Sequence, residues 1–134
     1  MEGLRIYDKN NSDDLGFIED CYICSAITLP ELEQWCVHVA QILDDPPHFI
    51  FDLMEVKVRG DAIPISRVVG FSPSLGATDA ELDAISGIAV ARGTQITGDF
   101  DKTISDEAAM RALKENPHIA DWFRKLFPFL ELEY

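Results

Sequence analysis

The chain has 134 residues, 47% of them apolar and 26% charged, which suits one domain with a real hydrophobic core. Its 24 acidic residues against 11 basic ones leave a net charge of −13, which repels nucleic-acid phosphates and anionic membranes and draws basic partners inward. No apolar run approaches the roughly 20 residues of a membrane span, the Met1–Arg5 start lacks the regions of a signal peptide, and three cysteines fit free thiols in a reducing cytoplasm.

Taken in order, Leu4 to Asp8 alternates in polarity and is compatible with a short N-terminal strand. Lys9 to Ser12 is a loop, and Ser12 is placed to cap a helix whose first turn holds Asp13 and Asp14, where the helix dipole favours negative charge. Phe17, Ile18, Cys21, Cys24 and Ser25 follow at helical spacing toward the core, while Glu19 and Asp20 point away. Thr28-Leu29-Pro30-Glu31 has the form of a capping box. It opens the clearest helix, with an apolar stripe of Leu29, Leu32, Trp35, Cys36, Val39, Ile42 and Leu43. A polar stripe of Glu31, Gln34, His38, Gln41 and Asp45 lies opposite, and Pro46-Pro47 stops the helix.

His48 to Val56 keeps helical spacing at Phe49, Leu53 and Val56, so a short helix is expected. Ile63 to Phe71 is another short apolar element between loops. Thr78-Asp79-Ala80-Glu81 repeats the capping box, and Gly93 marks the end of that helix. Its small residues, Ala84, Gly87 and Ala91, alternate with large ones, as in a helix packed closely by neighbours. Thr94 to Thr103 is a polar loop. Ser105 caps a helix running to Glu115, and Asn116-Pro117 opens a last one that Pro128 ends. The expected fold is a single, mainly α-helical domain over residues 1–134, a compact bundle of about five to seven helices.

Candidate chemistry is sparse. Cys21-x-x-Cys24 with Cys36 and His38 has the residue types of a zinc site, but Cys36 and His38 stand about 200° apart around one helix and cannot face one metal. Buried structural thiols are the simpler account. Gly98-Asp99-Phe100-Asp101 begins a calcium-loop spacing that fails at Ile104, where glycine belongs, and at Met110, where glutamate belongs. There is no nucleophile elbow, zincin helix, phosphate loop or dinucleotide turn. His38, His48 and His118 each have a bland reading, on a solvated stripe, after two prolines and at a helix start. No catalytic, cofactor-binding or metal-binding residue is therefore expected.

The distribution of charge is more informative. Residues 10–56 contain no lysine or arginine, yet hold Asp13, Asp14, Glu19, Asp20, Glu31, Glu33, Asp44, Asp45, Asp52 and Glu55. These ten carboxylates supply −10 of the −13, and the rest of the chain (11 basic, 14 acidic) only −3. A solubilising surface is the plain explanation. Self-repulsion at this density opposes folding, so a field kept for a basic partner is the sharper one.

Several runs bear a resemblance: Ile18-Glu19-Asp20-Cys21-Tyr22, then Ala26 to Cys36 (Ala-Ile-Thr-Leu-Pro-Glu-Leu-Glu-Gln-Trp-Cys), Ile50-Phe51-Asp52-Leu53, and Ala84 to Ala89 followed by Arg92-Gly93. Over residues 17–93 the chain resembles small acidic bacterial immunity proteins that accompany polymorphic toxins, including those of contact-dependent growth inhibition. The resemblance implies a cytoplasmic, cofactor-free protein without catalytic residues, which binds a cognate toxin domain, often a nuclease, and occludes its active site. On that reading Glu31, Glu33, Asp44, Asp45, Asp52 and Glu55 form the contact surface, with Asp13, Asp14, Glu19 and Asp20 second. Neither nucleic acid nor membrane is an expected partner. The competing readings are a small cytoplasmic enzyme using His38 or His48 with a nearby carboxylate, and an acidic adaptor subunit.

Overall fold

A computed structural model describes residues 4–7, 10–55, 68, 70, 77–94 and 104–134. Within them the protein is mainly α-helical, with six helices: α1 (Asp13–Ile23), α2 (Leu29–Ile42), α3 (Phe49–Met54), α4 (Asp79–Arg92), α5 (Asp106–Glu115) and α6 (Pro117–Leu126). The element expected over Ile63 to Phe71 lies outside the described residues apart from Val68 and Gly70, as do the polar loop after Thr94 and the start of the calcium-like spacing. Two compact units emerge, one of Met1–Glu19 with Leu29–Leu75, the other of Asp20–Thr28 with Gly76–Tyr134.

In the first unit, Leu4 to Tyr7 does not form the strand that its alternation suggests. Leu4 and Ile6 are indeed buried and Arg5 exposed, but the partner is a helix end, with no strand to pair with among the described residues. The Arg5 N–H donates to Asp14 Oδ2 at 2.8 Å, and the Arg5 carbonyl accepts from the N–H groups of Asp14 and Leu15 at 3.1 and 3.2 Å. This exchange satisfies N–H groups that the first turn of α1 leaves without helical partners. The Arg5 guanidinium then reaches Asp13 at 2.9 Å and Asp14 at 3.6 Å.

Helix α2 buries Leu29, Leu32, Trp35, Cys36 and Val39. At about 100° per residue, those five centre on one direction, and Pro30, Gln34, Val37 and Gln41 fall within about 45° of its opposite. These four are the exposed ones. Glu31 and His38, expected on the polar stripe, lie about 75° and 55° off that outward direction and are half-buried. Val37 takes the outward position instead. The Leu43 N–H still bonds to the Val39 carbonyl at 3.0 Å, and the chain then leaves the helix ahead of Pro46-Pro47. Helix α3 follows and packs on α2, burying Phe49, Ile50 and Leu53.

In the second unit, α1 ends sooner than the spacing of Cys24 and Ser25 implies. Ser25 turns left-handed at φ 66°, its N–H bonds to the Tyr22 carbonyl at 3.2 Å, and the Ala26 N–H bonds to the Cys21 carbonyl at 2.8 Å. These are the paired bonds of a Schellman cap, here with serine where glycine is usual. Helix α4 ends the same way at Gly93 (φ 70°), with Thr94 N–H on the Ala89 carbonyl at 3.0 Å and Gly93 N–H on the Val90 carbonyl at 3.2 Å. The two caps are tied together. Thr94 Oγ1 donates to the Ser25 carbonyl at 2.6 Å, and Arg92 Nη1 to the Ala26 carbonyl at 2.7 Å.

The start of α4 is as the sequence implies: Thr78 accepts from the Glu81 N–H at 3.1 Å and Glu81 accepts from the Thr78 N–H at 3.0 Å. Ser105 likewise caps α5 by accepting from Ala108 N–H at 3.1 Å, and Pro117 stands in the first turn of α6. Helix α4 packs on α5 through Gly87, and α6 contributes Ile119, Ala120, Phe123 and Leu126 to the core. Two arginines secure the C-terminal segment: Arg124 donates to the Leu132 carbonyl at 3.0 Å and Arg92 to the Glu131 carbonyl at 3.3 Å.

Candidate functional site

The ten carboxylates of residues 10–56 separate by environment. Asp14 is fully buried and spent on Arg5, so it cannot touch a partner, which corrects its place in the candidate surface. Asp13 is neutralised by the same guanidinium. Glu19, Asp20, Glu31 and Glu33 are half-buried. Asp44, Asp45, Asp52 and Glu55 are exposed, and all four belong to the turn after α2 and to α3. Of the ten carboxylates, the exposed ones thus all lie at the α2–α3 corner of the first unit.

The corner has structure. With Phe49, Ile50 and Leu53 turned inward, His48, Phe51, Asp52 and Glu55 form the outer face of α3 at the i, i+3, i+4, i+7 positions of one helix side. His48 Nε2 lies 3.9 Å from Asp52 Oδ1, and the His48 and Phe51 rings lie 6.4 Å apart, tilted by 53°. Phe51 remains 45% exposed. Asp44 and Asp45 precede this face, and neither they nor Glu55 form an ion pair with any described residue. Reasoning from charge alone finds the carboxylates and misses Phe51. The available signal was the helical spacing of Phe49 and Leu53, which turns Phe51 outward.

The other titratable groups are arranged for structure. Glu81 lies 2.8 Å from His118 Nε2, and its carboxyl is held below the usual range by the Thr78 N–H first and by His118 second. His118 is exposed and Glu81 half-buried, near the starts of α6 and α4. Burial pushes the Cys21 thiol well above its ordinary range, raises Cys24, and takes Cys36 up to about 12, with Glu33 adding to the last. Thiols so disposed are poor nucleophiles and costly metal ligands at neutral pH. Among the described residues no group of three or more His, Cys, Asp or Glu could hold a metal ion. A shallow depression along α5, lined by Asp106, Glu107, Met110, Arg111 and Lys114, mixes both signs of charge.

No family model, curated protein or solved structure matches the chain. Its capabilities are those of its own surfaces. No helix among the described residues is long and apolar enough to cross a membrane. The acidic corner of α2 and α3 is the feature with a directed chemistry: it attracts cationic surface and repels phosphate.

Proposed function

We propose that the chain is a cytoplasmic immunity protein that binds a cognate, basic toxin domain and blocks its active site. One observation carries this reading: four exposed carboxylates, Asp44, Asp45, Asp52 and Glu55, gather at one corner of a unit whose half-buried and buried carboxylates are engaged elsewhere. A nuclease is the toxin class that best fits, since its substrate site is built to receive phosphates. Carboxylates placed there satisfy the same cationic groups without offering a scissile bond. Long-range attraction speeds encounter, and contacts at short range set the residence time.

The test begins with the gene beside this one. If it encodes a toxic domain, expressing that domain should arrest growth, co-expressing this chain should restore it, and the two proteins should co-purify in equal amounts. Arrest that persists despite ample soluble protein, with no complex on size exclusion, would sink the proposal.

A further inference from the structure

We infer that Phe51 is the apolar anchor of the acidic corner, and that the surface it enters is a protein pocket lined by apolar groups and ringed by lysine or arginine. The inference rests on the docking reading above and specifies its partner. Phe51 contributes little to the folded core, because Phe49, Ile50 and Leu53 already occupy the inner face of α3. A phenyl ring that is 45% exposed keeps apolar area in water that a partner could cover with a gain in hydrophobic burial. The tilted His48 imidazole flanks the ring, with centroids 6.4 Å apart.

The charges around the ring decide what can cover it. Asp52 follows Phe51 directly and Glu55 lies one helical turn on, with Asp44 and Asp45 in the preceding turn, all exposed. A second copy of the same face would bring these carboxylates against their equivalents, and like charges in close apposition are strongly disfavoured. Anionic lipid and nucleic acid are repelled for the same reason. A cationic protein surface with an apolar centre matches both the ring and its collar, the arrangement in which a buried aromatic carries much of the binding energy inside a polar rim.

Two synthetic amphipathic peptides of equal length and charge test this, one of lysine and leucine, the other of lysine and serine. Each is titrated into the full 15N-labelled chain near physiological salt. Amide shifts should concentrate on residues 44–55 with both, and the lysine–leucine peptide should bind about five- to tenfold more tightly. Phe51→Ala should remove that preference while leaving the lysine–serine affinity unchanged. Val37→Ser, which deletes a similarly exposed apolar group from α2, should preserve it. Shifts on residues 44–55 with no preference between peptides would overturn the anchor and leave the acidic docking face standing. Shifts elsewhere, or none with either peptide, would overturn both.

Discussion

Gly87 shows how much can depend on one missing methyl group. A Cβ built there would press on the backbone carbonyl of Ala109 and come within 2.9 Å of Leu113 Cβ. Neither is the loose end of a long side chain, so α4 and α5 would have to separate. Overpacking of this kind costs about 1–3 kcal/mol, against up to ~1 kcal/mol regained from alanine's better helix propensity. Gly87→Ala should therefore lower the urea midpoint without changing the slope. Gly93→Ala has open space around it but a left-handed φ of 70°, so its loss should be conformational, about 1–2 kcal/mol. The thiols give a second residue-scale expectation. Cys36 is raised to about 12 in the folded state, above its unfolded value of roughly 8.5. A folded value raised above the unfolded one contributes stability that is present at lower pH and fades as pH rises past the unfolded value. Alkaline titration of the melting temperature should show a decline setting in above about pH 8.5, and Cys36→Ala should make that decline shallower even if it lowers stability throughout.

At the scale of elements, the reciprocal cap of α4 couples two helix starts through a single carboxylate. Glu81 accepts from Thr78 N–H and pairs with His118, and both lower its pKa. A lowered folded value contributes stability that is full above the unfolded value, near 4.5, and is lost as pH falls through that range. Glu81→Gln should lower the melting temperature at pH 7 and flatten the acid limb, so that variant and parent converge as pH falls below about 4.5, and an unchanged acid limb would refute the coupling. Local chemistry made such features legible in the sequence. Thr78 with Glu81, Ser105, Asn116-Pro117 and Gly93 all sit where the structure puts helix ends, because a cap is decided within about four residues. The periodicity of α2 and the inward face of α3 were legible for a similar reason. The losses came where a distant partner decides. Leu4 and Ile6 alternate as in a strand, yet the Arg5 backbone between them bonds to the start of α1. Ser25 accepts a conformation usually left to glycine, and its carbonyl is held by Thr94. Val37 and His38 stand at about 45° and 55° from the outward direction of α2, so periodicity alone does not rank them; Val37 is exposed and His38 half-buried.

For the whole molecule the question is whether location or total charge controls association. The net charge of −13 is shared unevenly, and burial sharpens the imbalance by withdrawing Asp14 and pairing Asp13 with Arg5. Four exposed carboxylates then remain at the α2–α3 corner. Reversing Asp44, Asp45, Asp52 and Glu55 to lysine adds two charges at each position, taking the chain from −13 to −5. Reversing Glu115, Asp121, Glu131 and Glu133 gives the same −5 on the second unit, where all four are also exposed. Neither set includes a carboxylate that caps a helix or is buried, so both variants should fold, and circular dichroism would verify it. Against the cognate basic domain, the corner variant should lose most of its association rate and much of its salt dependence, because exposed charges act over only about 8–10 Å near physiological ionic strength. The distal variant should retain most of both. Equal losses would mean that bulk charge alone attracts the partner and that the corner has no special role. Unchanged association in both variants would make the acidic surface a solubilising one, and the partner would have to be sought on another face.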